Sequence, residues 1–306
     1  MRKFNIILTL ILIVNAAFSQ QMQQYTQYAL NDFINNPAVA GVDDYFVARS
    51  NNRYQWVGVV DAPRTYTLSM YGPHKSKSMG FGGYLFSDFT GPTSRTGLYG
   101  SYAYNLKIVN NIRLSLGLTA GVLQYKIDGT KVTLKDDFDP LDQQDYIDYV
   151  PDAGFGAHLY SDKYYVGFSA NQLLRNNINF YEDTLSGLNR LTNHFFVVAG
   201  YKFPVTDVIT IEPSVLVKAM TKVPVQIDFS LKASYMKMAW FGVSYRTSDA
   251  IAFMIGYDLD SQLMIGYSYD MIISSVKKAS SGSHEVMLGI RFNKARKTMP
   301  ISISNE

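Results

Sequence analysis

Ile251-Ala252-Phe253-Met254-Ile255-Gly256-Tyr257-Asp258-Leu259, followed by Leu263-Met264-Ile265-Gly266-Tyr267-Ser268-Tyr269-Asp270-Met271, decides how the chain is read. In the first run Ile251, Phe253, Ile255, Tyr257 and Leu259 occupy every second position, with Ala252, Gly256 and Asp258 between them. The second run repeats the pattern, with Gly266, Ser268 and Asp270 on its other face. A period of two is the signature of a strand with one apolar and one polar face, and it does not fit a helix, whose faces repeat every 3.6 residues.

The same stripe recurs along the chain. Val286, Leu288, Ile290 and Phe292 oppose Glu285, Gly289 and Arg291; Leu114, Leu116, Leu118, Ala120 and Val122 oppose Arg113, Ser115, Thr119 and Gly121; Ile227, Phe229, Leu231, Ala233 and Tyr235 oppose Asp228, Ser230, Lys232 and Ser234. About fourteen such segments fall between residues 44 and 293, each near the length a tilted strand needs to cross a bilayer. Their connections alternate. The inward turns include Ser161-Asp162, Pro204-Val205-Thr206 and Leu259-Asp260, whereas the outward connections include 127–151, 173–191 and 273–282. Short turns on one side and long loops on the other define an outer-membrane barrel, and closure removes the apolar edges an open sheet would expose. The expected fold is therefore all-β, a transmembrane antiparallel β-barrel. Aromatics near strand ends, at Tyr84, Phe86, Phe89, Tyr102, Tyr104, Tyr267 and Tyr269, read as interfacial girdles.

Composition agrees. Of 306 residues, 17% are charged and 14% aromatic, with 23 Tyr and 18 Phe, and the mean hydropathy is near zero. That suits strands meeting both lipid and water, not apolar helices. Cysteine is absent, which excludes disulfides, thiolate metal sites and thiol nucleophiles. A formal charge of +3, with a basic tail of only Lys294, Arg296 and Lys297, argues against nucleic acid as a partner.

The first residues carry an export signal. Arg2 and Lys3 precede an apolar run, Phe4 to Val14, that is too short to span a membrane; Ala17-Phe18-Ser19 then places small residues at a cleavage site. The expected organisation is a signal peptide over 1–19, a polar periplasmic lead-in or lumenal plug over 20–43, the barrel over 44–293 and a polar tail over 294–306.

Residues 20–43, QQMQQYTQYALNDFINNPAVAGVD, lack alternation and carry turn signals at Asn36-Pro37 and Gly41. Four features here and just beyond resemble the N-terminal signature of the PorP/SprF family. They are Tyr25-Thr26-Gln27-Tyr28; Asn36-Pro37-Ala38 with Ala40-Gly41; Arg53-Tyr54-Gln55-Trp56; and Ala62-Pro63-Arg64-Thr65. The sequence departs from the family pattern at Val39, usually an aromatic, and at Ala29-Leu30. The family consists of outer-membrane proteins of the Bacteroidetes type IX secretion and gliding systems. The resemblance implies a non-enzymatic barrel that binds, helps secrete or anchors a surface adhesin, or its C-terminal domain, alongside the other secretion components. It implies no catalytic residue. The positions carried over, as signature residues without an assigned role, are Gln27, Tyr28, Asn36, Pro37, Gly41, Arg53, Trp56, Pro63 and Thr65. Pro37 and Gly41 are expected to set turns, and Arg53 and Trp56 to lie in or near the first hairpin loop. The partner is expected on the outer loops 127–151 and 173–191 or inside the mouth.

Asp136, Asp137, Asp139 and Asp142 form a candidate calcium site, with Asp145, Asp148 and Asp152 continuing the acidic stretch. The spacing is not that of an EF-hand, and a solvated outer loop is the competing reading. His74, His158, His194 and His284 show no metal-ligand spacing, although alternation lets His158 and His194 face the lumen, where a Ser–His hydrolase site would need a neighbouring Ser. Gly80-Phe81-Gly82-Gly83 lacks dinucleotide-loop spacing. The alternative function is a porin or a transporter for hydrophobic compounds.

Overall fold

The computed structural model describes residues 22–75, 78–109, 111–131, 144–178, 190–221, 223–259 and 262–292. The strands, in chain order, are β1 (Phe46–Tyr54), β2 (Arg64–Pro73), β3 (Met79–Thr90), β4 (Thr93–Val109), β5 (Ile112–Asp128), β6 (Asp145–Tyr160), β7 (Tyr164–Asn171), β8 (His194–Tyr201), β9 (Phe203–Pro204), β10 (Ile209–Met220), β11 (Val223–Tyr235), β12 (Ala239–Arg246), β13 (Ala250–Leu259), β14 (Leu263–Ile272) and β15 (Ser283–Phe292). Among the described residues fourteen of them close an antiparallel barrel, sealed where β1 pairs with β15, Phe46 opposite Phe292. The two-residue β9 pairs only with β10 and stands outside the ring.

The alternation resolves into an inside and an outside. Phe253, Ile255, Tyr257 and Leu259 are exposed on the outer wall, while Ala252, Met254 and Asp258 are buried. The polarity is the reverse of a water-soluble protein: apolar side chains meet lipid, and buried polar ones line the lumen. By the rule that barrel termini and short turns face the periplasm, the connections after β1, β5, β7 and β14 leave the outer rim, and those after β6, β11 and β13 leave the inner rim.

Three expectations change. Tyr84 and Phe86 are not girdle residues. They face the lumen, 7% and 5% exposed, because they share the parity of buried Asp88, while Phe81, Leu85 and Phe89 take the outer face. The outward connection 127–151 is shorter than expected, because β5 runs to Asp128 and β6 begins at Asp145, paired across the ladder. Asp145, Asp148 and Asp152 are thus strand residues: Asp145 accepts from Lys126 at 2.6 Å, and Asp152 accepts from Tyr99 at 2.9 Å. β1 also continues to Tyr54, which places Arg53 on the strand beside the first hairpin loop and not within the loop. The signal segment, the tail from 293 and the calcium candidates Asp136, Asp137, Asp139 and Asp142 lie outside the described residues.

Candidate functional site

Residues 22–45 enter the lumen at the outer rim and leave it at the inner rim. Met22 N donates to His194 Nε2, at the outer end of β8, at 3.2 Å. Three 3₁₀ turns follow, Tyr28–Leu30, Asp32–Ile34 and Pro37–Val39. The sequence explains the last of them. Asn36 is extended and its side-chain oxygen accepts from Ala38 N at 3.0 Å, while Pro37 occupies the first helical position, where its missing N–H costs nothing. Gly41 then turns the chain at φ +77°, a region open to glycine.

Two faces of the plug dock differently. Phe33, 1% exposed, packs on Tyr71 with ring centroids 4.7 Å apart, beside the stacked Tyr84–Tyr99 pair at 4.8 Å. A buried ring of this size contributes about 1.5–3 kcal/mol. Behind Pro37–Val39 the wall is cut back to glycine. A side chain on Gly117 would collide with the backbone of Ala38, one on Gly156 with Asn36, and one on Gly80 with the carbonyl of Ala40. Asn36 Nδ2 donates to Ala157 O at 3.2 Å from this seat.

The opposite face meets charge. Arg53 and Arg246, both 2% exposed, converge on Asp270 at 2.7 and 3.0 Å; Arg53 also reaches Glu285 at 3.5 Å, and Arg246 reaches Asp228 and Asp249, each at 3.2 Å. Thr26 Oγ1 donates toward both oxygens of Asp270, at 2.8 and 2.9 Å, and Thr26 N donates to Glu285 Oε2 at 2.7 Å. Lys218 on β10 adds a further contact to Asp228 at 3.7 Å, and every formal charge in this cluster belongs to the wall, on β1, β10, β11, β12, β14, β15 and the turn carrying Asp249. The plug supplies only hydroxyl, amide and main-chain groups. The ion pairs and the added hydrogen bonds together offset the desolvation of these buried groups.

The signature residues divide among these contacts. Gln27 donates to Glu285 through N, at 3.3 Å to Oε1, and through Nε2, at 3.1 Å to the carbonyl oxygen, which brings it to the same carboxylate as Arg53. Tyr28 reaches another wall, its hydroxyl 3.1 Å from Ser230 Oγ. Asn36, Pro37 and Gly41 form the glycine-seated turn. Thr65 donates to Asp88 at 2.6 Å, and Asp88 is paired with Arg95. Pro63 O accepts from Gln55 N at 2.9 Å, closing the first hairpin loop, and Trp56 sits in that loop at φ +50°. Sequence reasoning did not single out Asp228, Arg246, Asp270 and Glu285. The available signal was a full charge at a lumen-facing position within a membrane-crossing strand.

Asp32 on the plug faces the inner half of the lumen. Burial pushes its carboxyl up to about 7, and the Arg49 guanidinium partly opposes the shift.

Two cavities flank the plug. The outer one, about 400 Å³, is framed by Gln23, Gln55, Trp56, Phe196, Gln226 and Ser248. The inner one, about 460 Å³, holds Asp32, Arg49, His158, Lys202, Glu212 and Arg291. His158 and His194 are both buried. His158 lies opposite Ser115 across the β5–β6 ladder, and its neighbouring rings are Tyr160 and Tyr165. Among the described residues no group of three His, Asp or Glu is arranged to hold a metal ion.

A closed antiparallel barrel with a lipid-facing apolar belt and a lumenal plug is an outer-membrane protein. The chain belongs to the PorP/SprF family: the family described as type IX secretion system membrane protein PorP/SprF matches residues 17–290. No curated protein matches it in sequence. Among solved structures, the toluene transporter TbuX of Ralstonia pickettii is similar at TM-score 0.52 and 10% identity, with 86% of this chain and 93% of that one covered. The monoaromatic hydrocarbon channel CymD aligns at TM-score 0.45 and 11% identity over 90% and 94%, and a FadL homologue of Pseudomonas aeruginosa at 0.43 and 11% over 84% and 92%. The protein is a type IX secretion-associated barrel of the outer membrane.

Proposed function

We propose that this barrel is non-enzymatic and binds a secreted surface protein of the type IX system, adhesin-like in kind, helping it across or holding it at the cell surface. The observation that carries the reading is the occupied lumen. A diffusion pore needs an open path, whereas here residues 22–45 run from rim to rim and separate the two cavities, anchored by Thr26, Gln27, Tyr28 and Asn36. A rigid plugged barrel serves as a platform, and its outer rim is the surface a secreted partner meets.

The experiment is deletion of the gene with proteomics of the cell surface and medium, together with planar-bilayer recording of the purified barrel. The expected result is loss of one or a few surface proteins, with little conductance. Strong conductance with an unchanged surface proteome supports the transport alternative and overturns the client reading.

A further inference from the structure

Among the described residues three arginines are buried in the lumen wall, and the wall matches only two of them with acid. Arg53 and Arg246 pair with Asp270. Arg49, 7% exposed, has no carboxylate within 4 Å among the described residues. Its Nη1 donates to the Tyr71 hydroxyl at 2.5 Å, its guanidinium carbon lies 5.5 Å from the centre of the Tyr71 ring, and its Nε has no hydrogen-bond partner. Tyr71 is packed in turn by Phe33 of the plug. The guanidinium is therefore fixed in place, which lowers the ordering cost of binding to it.

A second guanidinium stands beside it. Across the β1–β15 seam Arg49 is opposite Gly289 and Val47 is opposite Arg291, so the two arginines are diagonal neighbours on the lumen face. Arg291 keeps Asp258 as its partner and lies over the Tyr45 ring at 5.6 Å, and its Nε also has no hydrogen-bond partner. Both arginines line the inner cavity of about 460 Å³. Lys202, Lys232 and Lys237 bring its cations to five, against four carboxylates. Glu212 is held by Lys232 at 2.9 Å and Asp258 by Arg291. Asp32 and Asp43 form no ion pair within 4 Å among the described residues, and burial raises the pKa of both, that of Asp32 to about 7. Arg49, Lys202 and Lys237 are left without a paired carboxylate, and the cavity keeps an excess of positive charge.

We infer that the inner cavity is an oxyanion site, in which a carboxylate or phosphate group entering from the periplasmic side binds across Arg49 and Arg291, with Lys202 at its edge. Guanidinium donors match the paired oxygens of such groups, and the attraction is stronger in a partly enclosed lumen than in open water. The site stands apart from the client-binding reading: it lies on the other side of the plug from the cell surface, and neither depends on the other.

The chain has two tryptophans, and Trp240 lines this cavity while Trp56 lies in the first hairpin loop. The Trp56→Phe variant leaves Trp240 as the only indole emitter. Refolded in an uncharged detergent, it is titrated at constant ionic strength with succinate and with inorganic phosphate, and with succinamide as the neutral control. Heat-modifiable migration on gels confirms that each variant is folded. The expected result is a saturable change in Trp240 emission with at least one of the two anions and none with succinamide; the anion that binds more tightly tells a carboxylate source from a phosphoryl one. Arg49→Gln weakens binding about tenfold, in keeping with the loss of a charge-assisted hydrogen bond. Asp43→Asn strengthens it, because a carboxylate close to the same cations is removed. Lys202→Gln, at an exposed position, weakens it about threefold and carries the test if Arg49→Gln does not fold. The inference is overturned if neither anion saturates, if succinamide gives the same change, or if the folded charge variants bind as the parent does.

Discussion

Arg53 Nη1 donates to Thr26 Oγ1 at 2.9 Å, so a neutral hydroxyl of the plug lies between a wall guanidinium and the Asp270 carboxylate it reaches on its other side. Arg53 also pairs with Asp270 directly. The wall charges therefore keep partners among themselves when the plug is absent. Plug release breaks hydrogen bonds and uncovers apolar surface without separating an ion pair.

Thr26→Val keeps the shape of this side chain and removes its hydrogen bonds to charged groups. We expect the plug to loosen by about 1.5–3 kcal/mol. Faster hydrogen–deuterium exchange confined to residues 22–45, with barrel strands unchanged, is the measurement. Equal exchange in both variants removes the lock from the account.

The glycine seat makes a separate prediction. Gly117→Val places a side chain where Ala38 now sits, whereas Gly100 has open space around its Cβ position. Gly117→Val should fold as a barrel with an unseated plug and raised single-channel conductance; Gly100→Ala should match the parent in both respects.

Asp270 is the shared partner of two buried guanidiniums, and its removal leaves charge without compensation. Asp270→Ala is expected to cost about 3–5 kcal/mol, read as a lower unfolding midpoint in urea titrations in lipid vesicles. A shift no larger than that of an exposed lipid-facing substitution such as Leu98→Ala removes the network from the list of what holds the barrel together.

The Asp32 carboxyl binds its proton more tightly in the folded protein than a solvated aspartate does, because burial raises its pKa to about 7. Its stabilising contribution is thus fully present below about 4 and is lost as pH rises through about 7. Plug protection from exchange should fall over that window, and Asp32→Asn should flatten the dependence and protect the plug more strongly above neutrality.

Because the chain has no cysteine, single substitutions report topology cleanly. Lys277→Cys, beyond β14, should react with an impermeant maleimide on intact cells. Lys163→Cys, in the turn after β6, should react only after the outer membrane is permeabilised. The reverse pattern inverts the barrel and puts the rim at which the plug enters on the periplasmic side.

Strand period, turn spacing and charge-poor composition make the barrel legible in the sequence alone, because lipid outside and a polar lumen inside impose alternation on each strand locally. Ile251 to Leu259 carries that message alone. The family signature was legible too, as a string of residues, since Tyr25-Thr26-Gln27-Tyr28 and Asn36-Pro37 are contiguous. What those residues touch was not. Thr26 meets Asp270 and Glu285 across most of the chain length, through the register by which β14 and β15 pair and the β1–β15 seam closes the ring. Arg53 read as lying in or near the first hairpin loop, and not as part of β1, because its polar neighbours hide the end of that strand. Tyr84 and Phe86 read as girdle residues because alternation separates two faces without saying which one meets lipid when both carry aromatics. Closure and the inserted plug decided both cases, since only the closed ring gives a strand an inside, and only the plug gives buried aromatics and buried charges there something to pack against.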